Sequence, residues 1–353
     1  MRALVGPHTE VVPVVKADAY GHGAVEVARV VTAEGAGWLA VSCVEEGVAL
    51  RDAGIRERIL VMADCFPFSR AALVDYGLTP AVHSLEELAE LNEYARSRQR
   101  RIRYHLKLDT GMGRLGTRAA TEQLAAAVHA ADWLDLEGLM THFASAADFT
   151  STQTDTQVAE FGRVRAALAH AGIVPKFLHA ASTNSIAFGR RDAWYNMVRP
   201  GHALYGYISP GRGDAPYPQL RVEPVLTWKA RVLTIKNIPA GAPVGYGAMF
   251  RPTRPSRIAV LAVGYADGLS HRLSARGHVI ACGQLVPIVG AISMDLTTID
   301  ATDVPALQPG APVTLLGEEG DVSINAQQMG RMAGTISYDI LCGIRTRVAR
   351  VYV

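Results

Sequence analysis

Lys16 ends an apolar run in Val14-Val15-Lys16-Ala17-Asp18-Ala19-Tyr20-Gly21-His22-Gly23, where a charged amine is followed by a polar, flexible turn. An amine carried by a strand end into a desolvated mouth has its pKa lowered and can form a Schiff base with an aldehyde cofactor. A lysine in that place can equally snorkel from the rim into water, and by position alone that is the commoner outcome. Two more reactive side chains also close apolar runs, His142 in Thr141-His142-Phe143 and Arg199 in Val198-Arg199-Pro200-Gly201. Taken singly, a strand-end histidine is more often structural, an arginine there reads as a rim salt bridge, and Pro200 says only that Arg199 is extended. Tyr246 lies between Gly245 and Gly247, so its backbone is free to approach a ligand. An unperturbed phenol titrates near ~10, so a proton-accepting tyrosine needs a partner.

These residues need a scaffold that gathers strand ends. From residue 11 to about residue 205, short β-branched or apolar runs alternate with longer amphipathic ones. The strands expected are Val11–Lys16, Trp38–Cys43, Arg58–Ala63, Leu78–His83, Ile102–Asp109, Asp135–His142, Lys176–Ala181 and a short Met197–Arg199. Leu85–Ser97 and Ala119–Ala131 read as helices, with Ser84 and Thr117 as N-caps. Such repeated βα units predict a (β/α)8 TIM barrel, an α/β fold whose active site lies at the C-terminal ends of its strands. The competing doubly wound sheet lacks its fingerprint, because no GxGxxG follows the first strand. After about residue 210, Gly and Pro become frequent and helical periodicity fades until Ala326–Met332. Val225–Ile235, Arg257–Val263, His278–Cys282 and Val313–Leu315 read as strands. The expectation is a barrel over residues 1–210 and a mostly-β domain over residues 211–353, joined through the Pro/Gly-rich stretch Ser209–Pro218.

Composition narrows the function classes. The 353 residues are 49% hydrophobic and 19% charged, enough for a large core. With 35 Lys and Arg against 33 Asp and Glu, no bulk field attracts nucleic acid or an anionic membrane. Cys43, Cys65, Cys282 and Cys342 show no CxxC pair or metal-like His spacing, and read as reduced, mostly buried thiols. The N-terminus has no signal-peptide core and no stretch has the length of a membrane span, which predicts a soluble, cytoplasmic protein without a metal.

The run around Lys16 resembles the cofactor-lysine motif of alanine racemases, fold type III enzymes dependent on pyridoxal 5′-phosphate (PLP) and built from a (β/α)8 barrel and a C-terminal β-domain. The resemblance continues in order through His105–Gly116 (HLKLDTGMGRLG), Met140–Ala144 (MTHFA), Arg199–Gly206 (RPGHALYG), Val244–Ala248 (VGYGA), Val263–Gly268 (VGYADG), Gly290–Asp295 (GAISMD) and Tyr338–Cys342 (YDILC). It implies interconversion of L- and D-alanine, supplying D-alanine for peptidoglycan, by removal of the α-proton on one face and its return on the other. Lys16 is then the cofactor lysine and one base, and Tyr246 the other. His142 matches the histidine that supports the tyrosine and is backed by an arginine. Arg199 matches the arginine on the pyridine nitrogen. A guanidinium stays protonated to pH ~12 or above, so the electron sink would be weak and side reactions discouraged.

The same resemblance assigns phosphate contacts to Tyr20, Ser185, Gly201, His202 and Tyr338, with Asn184 beside them. Asn184-Ser185 precedes a helix-like run, so a helix N-terminus can meet the phosphate, although plain N-capping would look the same. His202 departs from the family's aliphatic residue; the matching contact is a backbone amide. Arg114 matches an arginine near the PLP phenolic oxygen and substrate carboxylate, and the Met294 main chain an amide for that carboxylate. Lys107 matches a lysine that is carbamylated in many members. Unmodified, it would repel Arg114, so Lys107 is modified, displaced or solvent-facing. Tyr265 and Asp295 match entrance residues that, with Tyr246 and Met294, come from the other subunit of a head-to-tail homodimer.

Only fifteen residues precede Lys16, about a helix and a strand fewer than the family usually carries, and Asp18 stands where relatives often have Asn. The rival readings are a racemase of serine or a basic amino acid, a decarboxylase on the same barrel, a non-enzymatic PLP-binding homeostasis protein and an inactive barrel. Decarboxylases of this fold pair the pyridine nitrogen with an acid where this chain has Arg199. Homeostasis proteins match the barrel alone, without the domain that carries Tyr246.

Overall fold

The computed structural model describes every residue except Cys65. The chain divides into two compact units, one formed by Met1–Ala19 with Gly23–Glu223 and the other by Tyr20–His22 with Pro224–Val353.

The first unit contains eight short parallel strands: β1 (Glu10–Val11), β2 (Trp38–Val41), β3 (Arg58–Val61), β4 (Thr79–Val82), β5 (Ile102–Lys107), β6 (Leu134–Met140), β7 (Phe177–His179) and β8 (Met197–Val198). β2 to β7 pair in chain order and β1 pairs with β8. Bridges Val14↔Ala40 and Ser182↔Arg199 close the ring, giving the (β/α)8 barrel expected. Several of these strands are largely apolar because both faces are covered: all four residues of β2 and of β4 are buried.

β1 is shorter than Val11–Lys16 because Pro13 has no N–H to give to the ladder. The extended chain nevertheless continues, with the N–H groups of Val12 and Val14 donating to Val198 O (2.8 Å) and Pro200 O (2.9 Å), and Val15 N–H to Ala40 O (2.9 Å).

Lys16 then opens a turn rather than ending a strand. Ala17, Asp18, Ala19 and Tyr20 have φ of 53°, 52°, 53° and 54°, one turn of left-handed helix. Each L-residue there costs about 1–2 kcal/mol. Offsetting contacts hold the turn: Ala17 N–H donates to Glu46 Oε1 (2.6 Å), and Ala24 N–H to Asp18 Oδ1 (2.7 Å). Ala17 is exposed, so Ala17→Gly removes strain without opening a cavity. The variant is expected to be stabilised by about 1 kcal/mol and to unfold roughly 2 °C higher in calorimetry; an unchanged or lower Tm would show that the turn carries no such strain.

The helix Leu85–Ser97 starts as expected, with Ser84 Oγ accepting Glu87 N–H at 3.0 Å and Leu88, Leu91, Asn92 and Ala95 buried. The next helix is Thr121–Ala130, capped at Ala120 rather than Thr117. Thr117 is used elsewhere: its N–H donates to Lys107 O (2.9 Å) and its O accepts Asp109 N–H (3.0 Å), closing loop 109–117 on itself. The stretch Ser209–Pro218 does not behave as a linker either. It is pinned to the barrel by Phe149 N–H to Arg212 O (3.0 Å), Arg212 N–H to Ala147 O (2.9 Å) and Ser209 N–H to Asn184 Oδ1 (3.3 Å), and the first unit runs on to Glu223.

The second unit is an antiparallel sheet of β9 (Trp228–Ile238), β10 (Ser256–Leu261), β11 (His278–Ala281), β12 (Gln284–Pro287), β13 (Thr297–Asp300), β14 (Pro312–Glu319) and β15 (Val322–Ile324). Their order is β12-β11-β14-β9-β10-β13, with β15 on β14. Helices Ala326–Ala333 and Ser337–Gly343 complete it. The expectation of buried cysteines fails here: Cys282 (φ 51°) and Gly283 (φ 74°) form the tight turn between β11 and β12, and Cys282 and Cys342 are exposed. Cys65 lies outside the described residues. No helix among the described residues is long and apolar enough to cross a membrane.

Candidate active site

In the first unit, the expected catalytic and binding side chains cluster at the C-terminal ends of the strands. Lys107 ends β5 and is only 6% exposed; burial first, then Arg199, Arg114 and Lys16, pushes its amine down to about 8. His142 follows β6 and is pushed down to about 3 by burial, then by Arg199, Lys107, Arg114 and Lys16. Four cations therefore converge on one partly buried imidazole, a field that suits an anionic ligand.

Arg199 is 3% exposed, so the rim salt bridge is ruled out. Its Nη1 donates to His179 O (3.0 Å) and contacts His179 Nδ1 (2.7 Å), while Nη2 donates to Thr141 O (2.7 Å) and Ala180 O (3.3 Å). Burial lowers it to about 10, which leaves it charged at neutral pH. Arg199 Nη2 also lies 3.4 Å from His142 Nδ1. A guanidinium only donates, so neutral His142 accepts at Nδ1 and keeps its proton on Nε2.

Ser185 lies in the short helix Thr183–Ala187; it is fully buried, and its hydroxyl has no hydrogen-bond partner among the described residues. An orphaned buried hydroxyl calls for a ligand acceptor, and a phosphate oxygen fits it. Gly201 N–H donates to Thr183 Oγ1 at 3.1 Å, and Asn184 Oδ1 accepts Ser209 N–H. The His202 ring is buried and stacks on Tyr207 with centroids 5.1 Å apart. Arg114 is exposed at the tip of a loop organised by Asp109, whose Oδ1 accepts the N–H groups of Gly111, Met112 and Gly113 (3.1, 2.9 and 2.9 Å) and whose Oδ2 accepts Arg118 Nε (2.8 Å).

The second unit gathers the remaining residues. Tyr20 and Tyr338 face each other with ring centroids 5.9 Å apart, and burial, then Tyr338 and Cys342, raises the Tyr20 phenol above its ordinary range. Gly21 must lack a side chain, since a Cβ there would lie 2.3 Å from Leu341 O. Tyr246 is 76% exposed on a turn between Gly245 (φ 73°) and Gly247 (φ 63°), closed by Val244 N–H to Phe250 O (3.0 Å). Tyr265 N–H donates to Ser293 O (3.0 Å) and Ala266 N–H to Met294 O (2.9 Å), locking the Tyr265 and Met294 segments together. Arg347 Nη1 holds Asp295 Oδ1 at 2.8 Å.

Sequence reasoning missed Gln157, buried on the helix Gln153–His170. Its Nε2 donates to His142 O (3.0 Å) and its Oε1 accepts Ala144 N–H (3.0 Å), fixing the backbone around the histidine. It also assigned nothing to His179 and His105, whose rings meet through Nε2 and Nδ1 at 2.8 Å.

Comparison with known proteins decides the lineage. The family model described as alanine racemase, N-terminal domain, matches residues 1–210, and that for the C-terminal domain matches residues 225–352. The chain belongs to the alanine racemase family. It is 40% identical over 345 residues to an alanine racemase of Carboxydothermus hydrogenoformans, covering 98% of this chain and 93% of that one. Among solved structures of the family, the alanine racemase from Streptomyces coelicolor A3(2) superposes with a TM-score of 0.92 at 31% identity, covering 100% of this chain and 93% of that one. The alanine racemase from Bartonella henselae with covalently bound pyridoxal phosphate gives a TM-score of 0.88 at 30% identity, covering 100% and 94%.

Proposed function

We propose that Lys16 and Tyr246 are the two bases of this chain's reaction, acting on opposite faces of the substrate α-carbon. The chain is a PLP-dependent alanine racemase that interconverts L- and D-alanine. When bound, PLP supplies the electron sink that makes the α-proton of alanine acidic. The observation that carries the residue assignment is the gathering of Arg199, whose Nη2 lies 3.4 Å from His142 Nδ1, with Lys107, Arg114 and Lys16 around His142; the orphaned buried hydroxyl of Ser185 supports the phosphate contact.

In this reading Ser185, Asn184, Gly201, His202, Tyr20 and Tyr338 hold the phosphate, and Arg199 faces the pyridine nitrogen. Arg114 and the Met294 amide take the substrate carboxylate. His142, neutral and protonated on Nε2, donates to the phenolic oxygen of Tyr246, supporting it as a proton acceptor. Tyr265 and Asp295 line the entrance. Wild-type protein loaded with PLP should convert L-alanine to D-alanine, measured by chiral chromatography, without releasing carbon dioxide; no D-alanine would overturn it. Racemases of serine or basic amino acids and the homeostasis protein are not favoured, because near-full-length relatives carry the alanine racemase name.

The active form is a homodimer in which Tyr246, Tyr265, Met294 and Asp295 reach the barrel mouth from the second copy. Their support is exposure: Tyr246, Met249, Tyr265, Met294 and Leu296 are all uncovered in one chain. Mixing Lys16→Ala with Tyr246→Phe protein under subunit exchange should then restore activity, since each mixed dimer regains one intact site. Activity no higher than that of either variant alone would exclude the exchange. The reaction is placed in the cytoplasm, feeding D-alanine to peptidoglycan; the gene should rescue a D-alanine auxotroph.

Lys107 is proposed to be carbamylated. Only the neutral amine attacks carbon dioxide, and an amine at about 8 becomes neutral in larger part as pH rises through that value. A carbamate 13C signal from labelled bicarbonate should therefore grow between pH 7 and 9 and vanish in Lys107→Ala; no signal at pH 9 would discard the modification.

A further inference from the structure

Arg199 is a buried cation with no carboxylate at ion-pair distance among the described residues, and the side chain closest to it is an imidazole. Because the guanidinium only donates, the 2.7 Å contact makes His179 Nδ1 an acceptor. Neutral His179 must then carry its proton on Nε2, which points at His105 Nδ1 over 2.8 Å, so His105 accepts there and is protonated on Nε2. His105 Nε2 lies 3.8 Å from Glu137 Oε2, beyond hydrogen-bond length, and makes no hydrogen bond among the described residues. Glu137 is gripped by both terminal nitrogens of Arg58, at 2.5 Å each.

Both rings are fully buried, and burial keeps each well toward its neutral form. The barrel makes room for them: a Cβ on Gly138 of β6 would lie 2.5 Å from His105 Nδ1. The geometry points to His179 as a positioning residue, which together with His105 forms a one-way line of N–H donors from Arg199 toward Glu137 and so fixes the orientation and charge of the guanidinium. A carboxylate in direct contact would cancel that charge. Two neutral rings in between hold the guanidinium while leaving its charge unpaired, the acid itself being paired with Arg58. The inference rests on Arg199 being the group that contacts the cofactor ring.

The test compares holoenzyme of wild type, His179→Asn, His179→Leu and Arg199→Ala. Asparagine can place a carbonyl oxygen where Nδ1 stood and still accept from Arg199, whereas leucine cannot. Expected for His179→Leu is a shifted visible absorption band of bound PLP and kcat at least tenfold lower with KM within threefold, and for His179→Asn recovery of most of both. Equal behaviour of the two folded variants overturns the positioning role. An Arg199→Ala enzyme with unchanged band and kcat would instead defeat the reading of Arg199 itself. If the leucine variant does not fold, 15N-histidine NMR of the wild type decides: Nε2–H tautomers for His105 and His179 that do not titrate between pH 5.5 and 9 are expected, and an Nδ1–H tautomer or an imidazolium at either ring overturns the line.

Discussion

Lys16→Ala is expected to lower racemisation by at least ~10⁴-fold and to prevent retention of PLP through gel filtration, because the variant loses the covalent anchor and a base together. The barrel should remain intact: Lys16 is only half-buried, and the turn that follows is held by Ala17 N–H to Glu46 Oε1 and Ala24 N–H to Asp18 Oδ1. Circular dichroism and thermal unfolding close to wild type, with activity gone, would separate chemistry from folding. Activity within tenfold of wild type would remove Lys16 from the mechanism and leave it a rim lysine.

Tyr246→Phe is the second large effect, and its character matters more than its size. Losing one general base costs about 10²–10⁴-fold, here in racemisation measured from either enantiomer. Proton exchange should be lost unequally, however. In deuterium oxide the variant should still wash deuterium into the α-position of one enantiomer, the one whose proton faces Lys16, and not of the other. Stability should not change, since the Tyr246 side chain is mostly exposed and its turn is closed by backbone bonds between Val244 and Phe250. Equal exchange from both enantiomers would mean that one group serves both faces.

The barrel was legible because short, largely apolar or β-branched runs recur between amphipathic stretches. Leu85–Ser97 was legible to the residue because Ser84 caps it and its apolar residues recur at helical spacing. The left-handed turn after Lys16 was not, since Ala17-Asp18-Ala19-Tyr20 contains none of the glycines that usually announce positive φ. Pro13 shortened the first strand in a way visible only once its ladder partners are known. The helpers of the site were the hardest to see. His105 and His179 stand 74 positions apart and become partners only through barrel closure. Gln157 lies on a helix whose sequence gives no hint that it reaches back to His142. The Ser209–Pro218 stretch misled because turn-rich composition marks irregular backbone, whether that backbone is loose or pinned.

The self-contained loop built on Asp109 has a consequence for how such a chain can diverge. Its tip, Met112-Gly113-Arg114-Leu115, hangs from one carboxylate and from the Lys107–Thr117 clasp, with no strand register depending on it. Residues at that tip can therefore be exchanged like a tool head on a fixed handle. Substitutions at Met112 and Leu115 should leave the barrel standing, whereas Asp109 and Gly116, where a Cβ would lie 2.7 Å from Asp109 N, are the positions that must stay.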